Sequence, residues 1–354
     1  MTINTSYQDK LPFLLTGNAG SIIVYDVSRY SAVEITISVP SADVQDIKFS
    51  LFADGNGRLV LDIADILKSM DRTFMIPSWI GMAIVSLTFK SGSEKTWSAT
   101  VIPGRSDSLS LAAIYDRRRF LSTRPQTYII DKDVAEELFY FTKDVSSKSK
   151  ATIYSDTYAP FDVTLKENDN FFRMAKVGCD LIKSLAEAKG CPDLHILAFD
   201  VFSETEDGVR SDVMRYVVDY EEHDVFRFRG NLGALETIYA CGRKKSELIS
   251  ETAGFVNGDV EQELTNDSHV QHETFSGWQD SAEKVRFWQE FFSSSERYAV
   301  IDGVSRRIVV DEIDSEGTDG ELNAFSFKWH YADKYADPAR VPVRKELKQY
   351  KPTI

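Results

Sequence analysis

His269 and His272 are spaced HxxH with Glu273 beside the second, the nearest approach in this chain to a metal-binding motif. Metal binding needs ligands that converge. The surrounding residues read as strand or loop, and on a strand positions i and i+3 point to opposite faces. No metal is expected there. Asp54-Gly55-Asn56-Gly57-Arg58 opens like a calcium loop, but Arg58 stands where a ligand belongs and no Glu follows at the twelfth position. A tight hairpin turn is the better reading, because Gly and Asn accept positive φ. Gly230-Asn231-Leu232-Gly233 lacks the third glycine and the βαβ setting of a dinucleotide loop. It reads as a corner between two strands.

Glu136-Glu137, Glu221-Glu222 and Asp311-Glu312 are adjacent carboxylates. Alternation along a strand turns neighbours apart, whereas a glycosidase holds two carboxylates at a fixed separation from different parts of its fold. A carboxylate-based glycoside hydrolase therefore stays only as an alternative. No catalytic, cofactor-binding or metal-binding residue is assigned, no cofactor is expected, and the chain reads as a non-enzyme. Cys179, Cys191 and Cys241 are odd in number and lack the CxxC spacing of a redox or zinc site. They are expected to be reduced, as small buried apolar side chains. Trp79, Trp97, Trp278, Trp288 and Trp329 are spread along the chain instead of clustering as a sugar-stacking platform would.

The 354 residues carry a formal net charge of -14. Nucleic-acid binding needs clustered Lys and Arg to displace phosphate counterions. The densest basic runs, Arg117-Arg118-Arg119 and Arg243-Lys244-Lys245, sit among acidic neighbours, so no nucleic-acid partner is expected. The N-terminal residues lack a basic start followed by an apolar stretch, and no apolar run is long enough to span a bilayer. Synthesis in a cytoplasm, without a secretory signal or membrane span, is the expectation.

Periodicity then gives the elements. Residues 21–27, 32–40, 47–52 and 59–63 are rich in β-branched residues and read as strands, with a short helix over 62–70. Residues 84–89 and 97–102 form a hairpin. Further strands are expected at 151–155, 162–165, 194–204, 210–220, 225–229 and 237–241, with a helix over 180–188 ending at Gly190. The last third gives strands at 245–250, 261–265, 270–275, 298–301, 307–313 and 324–331. Between them lies a helix over 281–292, whose Val285, Trp288, Phe291 and Phe292 share one face and whose start Ser281 can cap. The fold class expected is mainly β: two or three β-sandwich-like domains with a few short helices. The boundaries read from the sequence are a first domain over 1–104, a connector over 105–127, and a second β-rich domain over 128–242. A third region over 243–336 follows, separate or joined to the second, and then an extended arm over 337–354.

Four segments together resemble structural proteins of phages and prophages of gut Bacteroidetes. They are residues 52–67 (FADGNGRLVLDIADIL), 120–126 (FLSTRPQ), 226–237 (FRFRGNLGALET, running on to Gly242) and 287–298 (FWQEFFSSSERY). Ala234 stands where a second glycine is expected in the third. The resemblance implies a virion component, of the tail, its tip or the baseplate, built from β-sandwich domains, and it supplies no catalytic residues. On that reading the partners are the chain itself, in a ring-like homo-oligomer, and other virion proteins. The candidate assembly contacts are the hairpin turn at Glu206, Asp207 and Gly208 and the arm residues Pro338, Arg340 and Lys345. A glycan- or receptor-binding module is the alternative, with a glycan as its partner.

Overall fold

The computed structural model of the protein describes residues 1–5, 13–39, 45–69, 82–106, 111–142, 146–166, 172–257, 260–316 and 323–332. The chain forms two compact units that interleave along the sequence. The first takes Met1–Thr127, Ala135–Val217 and Gly230–Leu235, the second Tyr128–Val134, Val218–Arg229 and Glu236–Ile354. The boundaries read at 104, 127, 242 and 336 follow chain order, which these units do not.

The first unit opens with strands β1 (Thr2–Thr5), β2 (Phe13–Leu15), β3 (Ser21–Tyr25), β4 (Ala32–Ser38), β5 (Ile47–Phe52) and β6 (Leu59–Asp62). Helix α1 (Ala64–Ser69) and the hairpin β7 (Ala83–Ser91) and β8 (Ser93–Ile102) follow. They make two sheets, ordered β1-β3-β6 and β2-β8-β7-β4-β5. Val33, Ile35 and Ile37 alternate along β4, and Val85, Leu87 and Phe89 along β7. They share one core with Ile22, Val24, Leu59 and Leu61 from the other sheet. Two sheets burying their inner faces in one core are a β-sandwich. On the outside of the β7–β8 hairpin, hydroxyls pair across the strands, Ser86 with Ser98 at 2.8 Å and Thr88 with Thr96 at 3.1 Å.

Helix α2 (Leu111–Asp116) comes next, inside the segment read as a connector. Strand β9 (Thr127–Asp131) starts where the chain passes into the second unit. Then follow β10 (Ala135–Phe141), β11 (Lys148–Ser155), β12 (Phe161–Thr164), β13 (Phe172–Gly178), α3 (Cys179–Glu187), β14 (Ile196–Glu204) and β15 (Met214–Asp219). β10 pairs antiparallel with β13. Phe139 and Phe141 of β10 join Phe13, Leu15, Ile102 and Ile114 in a second core, where the Phe13 and Phe141 rings stack at 4.1 Å. β11 pairs with β12 and β14, and β14 with β15. Helix α3 is followed by Gly190 at φ 85, a left-handed stop that glycine adopts without strain.

The second unit is built on β16 (Asp224–Arg229), β17 (Leu235–Ala240), β18 (Lys244–Asn257), β19 (Val260–Phe275), helix α4 (Ala282–Ser293), β20 (Arg297–Ile301), β21 (Val304–Glu316) and β22 (Ala324–Tyr331). The strands form one sheet in the order β17-β16-β20-β21-β22-β19-β18. The Oγ of Ser281 accepts the Lys284 backbone N–H at 3.3 Å and caps α4 as expected. The buried face of α4 is Phe287, Trp288 and Phe291, with Val285 and Phe292 half-buried at its sides. Phe291 meets Phe226 at 5.7 Å, Phe287 meets Phe228 at 5.2 Å and Trp288 meets Phe327 at 5.8 Å between ring centroids. Where three short strands were expected at 245–250, 261–265 and 270–275, there are two long ones. No helix among the described residues is long and apolar enough to cross a membrane.

Candidate functional site

Glu206, Asp207 and Gly208 lie in the turn joining β14 to β15, and all three are exposed. The turn closes on itself. Gly208 N–H donates to the Thr205 carbonyl at 3.0 Å, and Thr205 N–H to the Val209 carbonyl at 3.1 Å. Gly208 takes φ 79, which is why a glycine sits there. Arg118 reaches the turn from the chain after α2, donating from Nη2 to the Val209 carbonyl at 2.9 Å. The candidate contact is thus a braced, acidic tip. Pro338, Arg340 and Lys345 lie outside the described residues.

Below the tip, one face of the sheet carries interleaved charges. Glu204 accepts from Lys150 and from Arg210 Nε, the latter at 2.9 Å, and Arg210 also reaches Asp162 at 3.3 Å. Hydrogen bonds from Lys150 and Arg210 hold the Glu204 carboxyl below the usual glutamate range. The Arg210 guanidinium lies 4.2 Å over the Phe202 ring and buries it. Four residues back along β14, Arg215 grips both oxygens of Asp200 at 2.7 Å, and Tyr154 donates to Asp200 at 2.9 Å. That hydrogen bond to a carboxylate raises the Tyr154 hydroxyl above its ordinary value. A glycosidase acid must instead be held protonated near neutral pH. These carboxylates are each matched to a cation, as on a salt-laced solvated face.

The remaining candidates separate by face. His272 is buried, its ring stacked 4.3 Å from Trp329 and its Nδ1 2.8 Å from the Ser246 hydroxyl. His269 packs instead beside His330, whose Nδ1 is 2.8 Å from Asp311. No three His, Cys, Asp or Glu among the described residues could hold a metal. Asp54 closes its turn by accepting the Asn56 and Arg58 N–H groups, both at 2.8 Å, and these bonds hold its carboxyl below the ordinary value. The glycine corner holds too: Gly233 has φ 83, and a Cβ there would lie 2.5 Å from the Pro103 carbonyl. Glu136 is buried while Glu137 turns toward Lys176 at 3.5 Å; Asp311 meets His330 while Glu312 meets Lys328 at 2.6 Å. The cysteines are free, but only Cys179 is buried and Cys241 is exposed, because it sits past the end of β17. Trp288 and Trp329 are core, Trp97 is half-buried, Trp278 is exposed, and Trp79 lies outside the described residues.

Two buried ionic groups escape sequence reading. In the first unit, Arg124 donates to Glu136 and, at 2.9 Å, to the Tyr216 hydroxyl. In the second, Arg229 donates Nε and Nη2 to the two oxygens of Glu296 at 3.0 and 3.2 Å, and Tyr298 donates to Glu296 at 2.6 Å. Burial pushes Glu296 up, but Arg229 and Tyr298 outweigh it and hold the carboxyl below its usual range. Burial and that same bond lift Tyr298 to about 12. Each group joins positions far apart in the sequence.

The longest strand pair among the described residues is the β18–β19 hairpin. β18 is the outermost strand of its sheet, and β22 pairs with β19 over His272–Phe275. β18 pairs with β19 from Val260 to Thr274. At about 3.4 Å per residue, residues 260–271 of this ribbon span roughly 40 Å. From Ser246 to Glu273 the sequence has seven carboxylates and no Lys or Arg.

No protein-family model matches the chain, and no curated protein matches it. Among solved structures, 31% of the chain is similar to 91% of a chain in the tail of an empty gene transfer agent particle, at 16% identity and a TM-score of 0.23. The same share is similar to a chain in the virion of a native gene transfer agent particle, at 15% identity and a TM-score of 0.23. Over 91% of its length it is similar to 76% of the SGBP-B protein of a Bacteroides ovatus mixed-linkage glucan utilization locus, solved with a mixed-linkage heptasaccharide, at 9% identity and a TM-score of 0.16. At these scores none of the three bears on the role of this chain.

Proposed function

We propose that this chain is a non-enzymatic structural component of a phage virion, of the tail or its tip, that acts by assembling with copies of itself and with other virion proteins. The observation that carries the reading is the β18–β19 ribbon. β18 is the outermost strand of its sheet, and the backbone edge of an outermost strand is a template for another strand. Such an edge is a contact device: a neighbour's strand adds to it. The four phage-like sequence segments support the virion setting. The braced acidic turn at Glu206, Asp207 and Gly208 and the arm with Pro338, Arg340 and Lys345 are the other proposed contacts.

The test is to shorten the ribbon. Deleting residues 251–267 and joining Ser250 to Ser268 through Asn-Gly leaves a two-residue hairpin in register, since Ser250 and Ser268 are paired. The sheet is expected to stay folded by circular dichroism while the oligomer is lost. An oligomer unchanged by the deletion would remove the ribbon from assembly.

A further inference from the structure

The two most exposed large apolar side chains among the described residues, Tyr30 at 74% and Phe52 at 73%, stand at one end of the first unit's sandwich. They flank one rung of its sheet: the Ala53 N–H donates to the Ser31 carbonyl at 3.0 Å, and Phe52 is paired with Ala32. The Tyr30 ring reaches the neighbouring turn. A Cβ on Gly55 would lie 2.6 Å from the Tyr30 hydroxyl oxygen, so a glycine there leaves the ring its place. Tyr30 takes φ 53, a left-handed conformation that a bulky residue keeps only where its surroundings fix it. Here they do. Val27 N–H donates to the Gly57 carbonyl at 3.2 Å and Ser31 N–H to the Ser28 carbonyl at 3.1 Å, while Asp54 closes its own turn. Scattered single exposed rings need no explanation, but two side by side on a held frame mark a contact surface.

The residues around the pair decide what it contacts. Alternation sends Ser50, Glu34 and Lys90 to the same outer face as Phe52, in one row across the sheet that ends at Glu94. The next row is Lys48, Thr36, Thr88 and Thr96, and after it come Ser38, Ser86 and Ser98. On the other side of the pair, Asn56 and Arg58 are exposed on the turn. The core of a protein–protein contact is poor in charge, whereas here charged and hydroxyl groups begin one row from the rings. Aromatic faces beside closely spaced donors and acceptors suit a ligand that is apolar on one face and hydroxylated at its rim, which is a sugar ring. Glu34, Lys90 and Glu94 alternate in sign, so the face favours an uncharged ligand. From Ala32 to Ser38 the strip runs roughly 20 Å, the length of an oligosaccharide and not of a single sugar. We propose that Tyr30 and Phe52 are a stacking platform for a neutral glycan, whose hydroxyls bond to Asn56, Arg58 and the row of Glu34 and Lys90.

The platform belongs to the first unit and the ribbon to the second, so this proposal and the assembly reading can fail separately. The experiment is native electrophoresis of the full chain through gels carrying dextran, mannan, galactomannan or arabinoxylan, all neutral and soluble. At least one is expected to retard the chain. Phe52→Ser and Tyr30→Asn are each expected to weaken that binding about tenfold, with the fold checked by circular dichroism; Asn accepts the left-handed backbone at position 30. Phe52→Tyr is expected to keep the binding, and Trp278→Ala, which removes an exposed ring of the second unit, to leave it unchanged. In the unaltered chain the retarding polysaccharide is expected to slow hydrogen exchange at amides of residues 27–32 and 50–58. No retardation by any of the four, protection only elsewhere, or equal retardation of Phe52→Ser and the unaltered chain would each overturn the proposal. So would a lower mass of Phe52→Ser in solution without glycan, since the pair would then be a contact between copies.

Discussion

Glu296 and Glu136 are the residues on which this chain's ionic core turns. Glu296 is held below its ordinary value of 4.5 by Arg229 and Tyr298 against burial. A carboxyl depressed in the folded state contributes stability above its unfolded value, and loses it as pH falls through the folded one. Glu296→Gln is therefore expected to lower stability at pH 7 by about 2 kcal/mol, the weight of a hydrogen bond to a charged group. It should cost little once both forms are measured in acid. Urea titrations at pH 7 and pH 3 would read this, and an equal deficit at both would contradict it. Arg124→Met removes the cation that donates to buried Glu136, and a broken buried pair costs about 3–5 kcal/mol. The same titration at neutral pH checks it. The local turn at Asp54 and the glycine corner at Gly233 were legible because their chemistry is contained in a few consecutive residues. The ion pairs were not, since Arg124 meets Tyr216 across 92 positions, and no local pattern encodes that meeting.

Helix α4 is legible in its own residues, through a serine cap and an apolar stripe. Ser281→Ala is expected to cost about 1 kcal/mol, measured as a lowered denaturation midpoint. The elements that escaped notice lacked such marks. β10 ends in Leu138-Phe139-Tyr140-Phe141, all buried, so the alternation that marks a half-buried strand is missing. The ribbon read as separate strands because Gly254 and the polar run Thr265-Asn266-Asp267-Ser268 look like punctuation. In the structure they lie within continuous pairing, with one register shift at Ala253 and Gly254.

At the scale of the whole chain, the mainly β fold with few short helices was visible in the spacing of β-branched residues and turns. The interleaving of two units was not, because contacts such as Gly104 against Asn231 join positions far apart in sequence. The proposed contacts, made through a ribbon with seven carboxylates and no Lys or Arg between Ser246 and Glu273, are expected to be electrostatic as well as edge-to-edge. Self-association through them is expected to weaken as salt rises and the Debye length shrinks to about 3 Å near 1 M. Sedimentation across a salt series would show it, and a salt-independent oligomer would place the contact elsewhere.

The measurement that bears most directly on assembly as this chain's role is its mass in solution, by light scattering across a concentration series beside the ribbon-shortened variant. Assembly predicts a defined multiple of the 40.0 kDa chain, reduced to the single chain when the ribbon is cut back. A full chain that stays at the mass of one copy at every concentration, as the variant does, would contradict it.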